Sequence, residues 1–153
     1  MRAHRGPFRL IALSASDWRL LVGACVLEIT VFTAMRVLPL TSIRRMAMTP
    51  GWLARTCVRL ALGGRDERRT VWAIEAAGRR LGPAGRCLVR AIVGALALAS
   101  DARALRLYIG IRHGEDGALE SHAWLSDGAR VLVGGSESSA QFEPLVAWQG
   151  FSS

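Results

Sequence analysis

GRCLVRAIVGALALAS, residues 85–100, sets one cysteine at the start of an apolar run, immediately after a Gly-Pro-Ala-Gly turn at 82–85. Read as a helix, the stretch puts Cys87, Ala91, Gly94 and Leu98 on one stripe and Leu88, Ile92, Ala95 and Ala99 on the next. Both stripes are apolar, so the helix is covered over a wide face and Cys87 points toward the rest of the fold. A free cysteine so placed is ordinarily a packed core thiol. Its position in the first helical turn favours chemistry instead, because unpaired N–H groups and the positive end of the helix dipole stabilise a thiolate. The same N–H groups can donate to an oxyanion.

Upstream of this helix the chain reads as helical. WRLLVGACVLEITVFTAMRVLPL (18–40) is the most apolar segment, with Ser16 as N-cap, Asp17 in the first turn and Pro39 closing it. Arg19, Glu28 and Arg36 interrupt it, so its longest uncharged run falls short of the ~20 residues of a spanning helix, and no membrane span is expected. A second helix is expected from TPGWLARTCVRLALGG, with Thr49 as N-cap, Pro50 at the first position and Gly63-Gly64 as the stop. A third runs through RDERRTVWAIEAAGRRLG, where Val71, Ile74 and Ala77 recur at helical spacing.

Downstream the period changes to two. LRLYIGI (105–111) reads as a strand, SHAWLSDGARVLVGG (121–135) as a hairpin turning at Asp127-Gly128, and PLVAW as one more strand. Helices followed by a small antiparallel sheet give an α+β fold, with the cysteine-bearing helix packed on the sheet. The expected division is a helical region over 1–80, suited to substrate or partner docking, and a catalytic core over 81–153, within one compact domain.

Composition narrows the chemistry. The 153 residues carry a formal charge of +8 with 51% hydrophobic residues, and all 20 basic residues are arginine. The arginines are scattered in ones and twos with no aromatic-interleaved stripe, so an acidic peptide or protein is a better partner than nucleic acid. The absence of lysine excludes a phosphate-binding loop, a Schiff base and a Ser-Lys dyad, and the absence of asparagine excludes a Cys-His-Asn triad. Cys25, Cys57 and Cys87 are odd in number and widely spaced, which fits a reducing, cytoplasmic setting and argues against a disulfide framework or a metal site. The basic start MRAHRGPFRLIALSAS has too short an apolar core for a secretory signal.

A nucleophilic thiolate needs a base. His4 lies in the basic arm and His113 precedes the loop GEDG, whereas His122 falls inside an apolar strand with Trp124 on the same face. Alone, such a histidine is ordinarily a satisfied core residue.

The order of these pieces carries more information than any one of them. A cysteine opening a helix, then a strand, then a strand bearing His-Ala-Trp beside a hairpin resembles the transglutaminase-like branch of the papain-like thiol enzymes. RCLVRAIVGALALASDARALRLYIGIRH followed by SHAWLSDGARVLVGG, with AAGRRLGPAGRCL leading in, is similar to the leader-peptidase B proteins of lasso-peptide biosynthesis. The resemblance implies Cys87 as nucleophile and His122 as general base and then acid; no cofactor is expected, and Trp124, on the His122 face, is the candidate substrate-binding residue. The resemblance further implies three partners: a precursor peptide bearing a leader, a separate leader-recognition protein, and an ATP-dependent macrolactam synthetase that closes the lasso ring.

The departure is at the third catalytic position. The family supplies an Asp from the strand after the hairpin, and here that strand reads ARVLVGGSE. With a two-residue turn at Asp127-Gly128, His122 pairs with Val133 and Asp127 lies on the order of 16 Å away, so Asp127 is mainly a turn residue. Glu137 could fold back over Gly134-Gly135 to reach the imidazole, and Glu120, on the His122 face, is the weaker substitute. The other possibility is a dyad with a backbone carbonyl orienting the ring. Three functions remain open: a leader-removing cysteine endopeptidase, a transglutaminase-like acyl transferase, and a catalytically degenerate scaffold module.

Overall fold

The computed structural model describes residues 13–62, 66–99, 104–114, 116–135 and 140–151. Five helices, α1 (Ala15–Val37), α2 (Leu40–Met48), α3 (Trp52–Leu62), α4 (Glu67–Arg80) and α5 (Cys87–Leu98), precede four strands. The strands are β1 (Leu105–His113), β2 (Leu119–Asp127), β3 (Arg130–Val133) and β4 (Glu143–Gln149), and they form one antiparallel sheet in the order β3-β2-β1-β4. The fold is α+β, as the change of period from helical to alternating spacing requires.

Local chemistry sets the helix ends. The cap of α1 is Ser14 rather than Ser16: its side chain accepts from the Asp17 N–H at 3.2 Å while the Asp17 carboxylate accepts from the Ser14 N–H, a reciprocal capping box. Ser16 accepts instead from Arg69 of α4 at 2.8 Å, and Arg69 also pairs with Asp17, which ties α1 to α4. Thr49 is not an N-cap but the C-cap of α2, with its N–H and its hydroxyl both on the Arg45 carbonyl at 2.9 and 3.0 Å. The next helix therefore begins two residues later than Pro50, at Trp52. The short α2, not among the helices expected from sequence, turns Ile43 and Ala47, one helical turn apart, into the core. Gly63-Gly64, the amino-terminal basic arm and His4 lie outside the described residues.

By length and composition α1 is long and apolar enough to cross a membrane. In the fold, one face of it is core: Leu20, Leu21, Ala24 and Glu28 are buried. Helix α5 occupies the centre, with Val89, Ala91, Ile92, Val93, Gly94, Ala95 and Leu98 buried among the other helices and the sheet. Leu125 and Val133 approach α5 at Gly94, where an added Cβ would lie 2.9 Å from the Val133 side chain.

The hairpin differs from expectation in register. Its turn is Gly128-Ala129, with Gly128 at φ 58° and Asp127 paired with Arg130. A shift between Leu125 and Ser126 then leaves Leu132 as an extra residue, so Leu125 pairs with Val133. His122 consequently has no partner in β3, which ends at Val133. The alternation rule could not settle this because Ala123, Trp124, Leu125 and Ser126 are all buried, leaving no one-sided pattern to pin the register.

Candidate active site

Cys87 is the first residue of α5, and Arg86 before it makes no side-chain cap bond, so the first-turn N–H groups remain available. The thiol is half-buried. Burial pushes its pKa up, but the hydrogen bond with the His122 imidazole, the N–H groups of Ala123 and Leu88, and the charge of His122 outweigh burial, and the net direction is down. The Ala123 N–H is free for this purpose because β3 has ended. Gly134, approaching the Ala123 carbonyl, marks the same side of β2.

The His122 pKa moves the opposite way. Its hydrogen bond with Cys87 raises it most, burial lowers it, and the Gly134 carbonyl and the Cys87 charge raise it further against a smaller opposing effect of Arg90. Its Nε2 lies 2.8 Å from the Gly134 carbonyl oxygen. A carbonyl can only accept, so Nε2 carries the proton, and Nδ1 is left as the acceptor for the thiol in the neutral ring. A lowered thiol beside a raised imidazole is the electrostatic condition for a thiolate–imidazolium pair.

Two aromatic rings lie against the imidazole. Trp124 lies nearly parallel at 6.2 Å between centroids and is itself stacked on Tyr108 at 5.4 Å. Phe142, from the segment entering β4, tilts over the ring at 5.2 Å, and the Arg112 guanidinium sits 4.8 Å from the Phe142 centroid. Arg112 also hydrogen-bonds Gln141 and binds Glu120 at 2.6 Å.

The structure brings Cys87 and His122 together and separates Glu120 and Asp127 from them. Glu120 is spent on Arg112 at the surface. Asp127 closes β2 opposite Arg130, five residues along the strand from His122. Glu137 lies outside the described residues. Trp124 is only 6% exposed and packs against the imidazole. His113 ends β1, exposed.

Sequence reasoning missed the group on His122 and its supports. Gly134 N–H donates to Glu75 Oε1 of α4 at 2.9 Å, and Glu75 Oε2 accepts from Arg90 of α5 at 2.6 Å. The one legible signal was Glu75 on the stripe formed by Val71 and Gly78, an acid set beside the core face of α4. Behind them, Glu28 of α1 is fully buried with neither carboxylate oxygen bonded, and the Nε of Arg90 is likewise unpartnered. Burial raises the Glu28 carboxyl to about 7, against the attraction of Arg90. Among the described residues no group of three or more metal-ligating side chains occurs.

A half-buried thiol at a helix N-terminus, joined to a strand histidine whose second nitrogen is held, defines a cysteine-dependent acyl-transfer site in an α+β fold. The chain belongs to the transglutaminase-like superfamily, whose family model matches residues 25–147, and members of that superfamily are generally cysteine proteases or acyltransferases. No curated protein and no solved structure matches the chain.

Proposed function

We propose that the protein is a cysteine endopeptidase that removes the leader from a ribosomally made lasso-peptide precursor. The observation that carries the peptidase reading is the Cys87–His122 pair, each group shifting the other toward the charged form. The lasso-peptide assignment is supported by the similarity of the cysteine helix and the His-Ala-Trp hairpin to leader-peptidase B proteins.

In this reaction the Cys87 thiolate attacks the carbonyl at the leader–core junction, and the new oxyanion lies near the open N–H groups of the first turn of α5. His122, protonated at Nδ1, gives that proton to the departing core amine as the C–N bond breaks, leaving the leader as a thioester. The neutral imidazole then takes a proton from water, which attacks the thioester and releases the leader as a carboxylic acid with the thiol regenerated. The Gly134 carbonyl keeps Nε2 protonated throughout, and so takes the orienting place of an Asp that ARVLVGGSE does not supply.

The freed core amine is the nucleophile that a macrolactam synthetase would require. By the same resemblance, a separate recognition protein would present the leader. Acyl transfer to an amine uses the same pair and differs only in the acceptor. The deciding experiment is mass spectrometry of a precursor incubated with the protein and its recognition partner, using wild type and Cys87→Ala. A single cut at the leader–core junction, lost in the variant, is the expected result. An amine adduct would move the assignment to acyl transfer, and equal inertness of both proteins with bound precursor would leave a scaffold.

A further inference from the structure

We propose that Glu75 of α4 is the positioning residue of this site, fixing His122 at a distance through the main chain of Gly134. The inference rests on the reading of Cys87 and His122 as the catalytic pair.

Gly134 is the residue least able to hold itself in place. It follows the last residue of β3, sits at φ 104°, and pairs with no strand residue. Its carbonyl is nonetheless the only hydrogen-bond partner of His122 Nε2 among the described residues. A backbone with this freedom keeps a catalytic histidine in one orientation only if something else holds it. Glu75 does so from outside the sheet, accepting the Gly134 N–H at 2.9 Å.

Glu75 is in turn held by the helix that carries the nucleophile. Arg90 stands three residues after Cys87 on α5 and binds the second Glu75 oxygen at 2.6 Å. The approach requires Gly78, since a Cβ there would lie 2.2 Å from Arg90 Cδ. The links therefore close on themselves: Cys87, Arg90, Glu75, Gly134, His122 and back to Cys87. Movement of α5 against the sheet would pull on both ends of the thiol–imidazole contact together. An ion pair serving only to join α4 to α5 would need one Glu75 oxygen, whereas here the second is spent on the residue whose carbonyl meets His122.

The test is the pH dependence of Cys87 alkylation by iodoacetamide, located by peptide mass spectrometry, with exposed Cys57 as internal reference, in wild type, Glu75→Ala and Glu75→Gln. The assay needs no peptide substrate, and thermal unfolding establishes that each variant is folded. In Glu75→Ala the alkylation rate at pH 6.5 should fall about tenfold, one unit of upward shift in the thiol, while the plateau at high pH is retained. Glu75→Gln, which can still accept the Gly134 N–H, should stay within about threefold of wild type. A folded Glu75→Ala whose profile superimposes on wild type overturns the proposal. If Glu75→Ala does not fold, Glu75→Gln decides: the wild-type profile supports the role, and a shift to that of an ordinary thiol overturns it. Wild-type Cys87 reacting no earlier in pH than Cys57 would sink the catalytic pair and this inference with it. Early wild-type reaction with no effect of Glu75→Ala would sink this inference alone.

Discussion

His122 is held by a thiol, a carbonyl at Nε2 and two neighbouring aromatic rings, so its behaviour can be tested one contact at a time. Cys87 ionises below the ordinary thiol range and His122 above the ordinary imidazole range. The charged pair therefore builds as pH rises through the thiol and disappears as pH rises further through the imidazolium. Alkylation of Cys87 should accordingly begin at lower pH than that of Cys25, whose thiol burial pushes up, and His122→Ala should return Cys87 toward the ordinary range. Gly134→Ala puts a Cβ 2.8 Å from Trp124 Cβ and 2.9 Å from the Ala123 carbonyl at a positive φ. We expect it to cost about 1–3 kcal/mol in denaturant unfolding, with a fall in turnover from misplacement of the carbonyl. Phe142→Ala should leave the melting temperature nearly unchanged, since Phe142 is outside the main core, while lowering turnover through a freer imidazole. An unchanged turnover number would show that Trp124 alone suffices to hold the ring.

At the scale of the element, α1 carries the least comfortable group in the molecule. Glu28 is completely buried without a hydrogen bond, and its carboxyl is raised from 4.5 to about 7. A carboxyl that binds its proton more tightly in the folded state makes stability fall as pH rises, starting near its unfolded value and levelling off above its folded one. The charged form should therefore cost on the order of 3 kcal/mol above pH 7 and nothing below about pH 4. Glu28→Gln removes that dependence, so the difference in unfolding free energy between variant and wild type should grow across this window. A difference independent of pH would mean that Glu28 titrates over the same range folded and unfolded, and that burial does not raise its carboxyl. Legibility from sequence varied by element: α4, α5 and the strands could be read from periodicity, and the roles of Cys87 and His122 from the order of their motifs and the resemblance that order carries. Helix α2 was missed although Leu40, Ile43 and Ala47 recur along it at helical spacing, because nine residues give that period only two turns to show itself.

Across the whole molecule the helices and the sheet depend on one another. Helix α5 has its buried residues against α1 and α4 as well as β2, and Gly134 at the end of β3 is bound by Glu75 of α4. A fragment of residues 81–153 should thus fail to fold alone and show no cooperative thermal transition, whereas a sharp transition would establish an independent carboxy-terminal unit. Contact between helices is equally close at Gly23, where a Cβ would lie 2.3 Å from the Ala61 carbonyl oxygen. Gly23→Ala should destabilise the entire protein by about 2 kcal/mol or more by wedging α1 from α3, without changing the pH profile of Cys87 in the protein that remains folded.

Sequence by itself determined the α+β order and the helix-mouth position of Cys87, because these follow from local periodicity; His122 as its partner came through the resemblance of the ordered motifs to the transglutaminase-like thiol enzymes. Only the tertiary structure decided what holds the imidazole. The turn at Gly128-Ala129 and the extra residue Leu132 bring the Gly134 carbonyl, rather than Asp127 or Glu120, to His122. The support for Gly134 comes from Glu75, 59 residues away in the chain. A register is chosen by the packing of both sheet faces and a main-chain hydrogen bond leaves no mark on residue type, so neither was visible until the chain was folded.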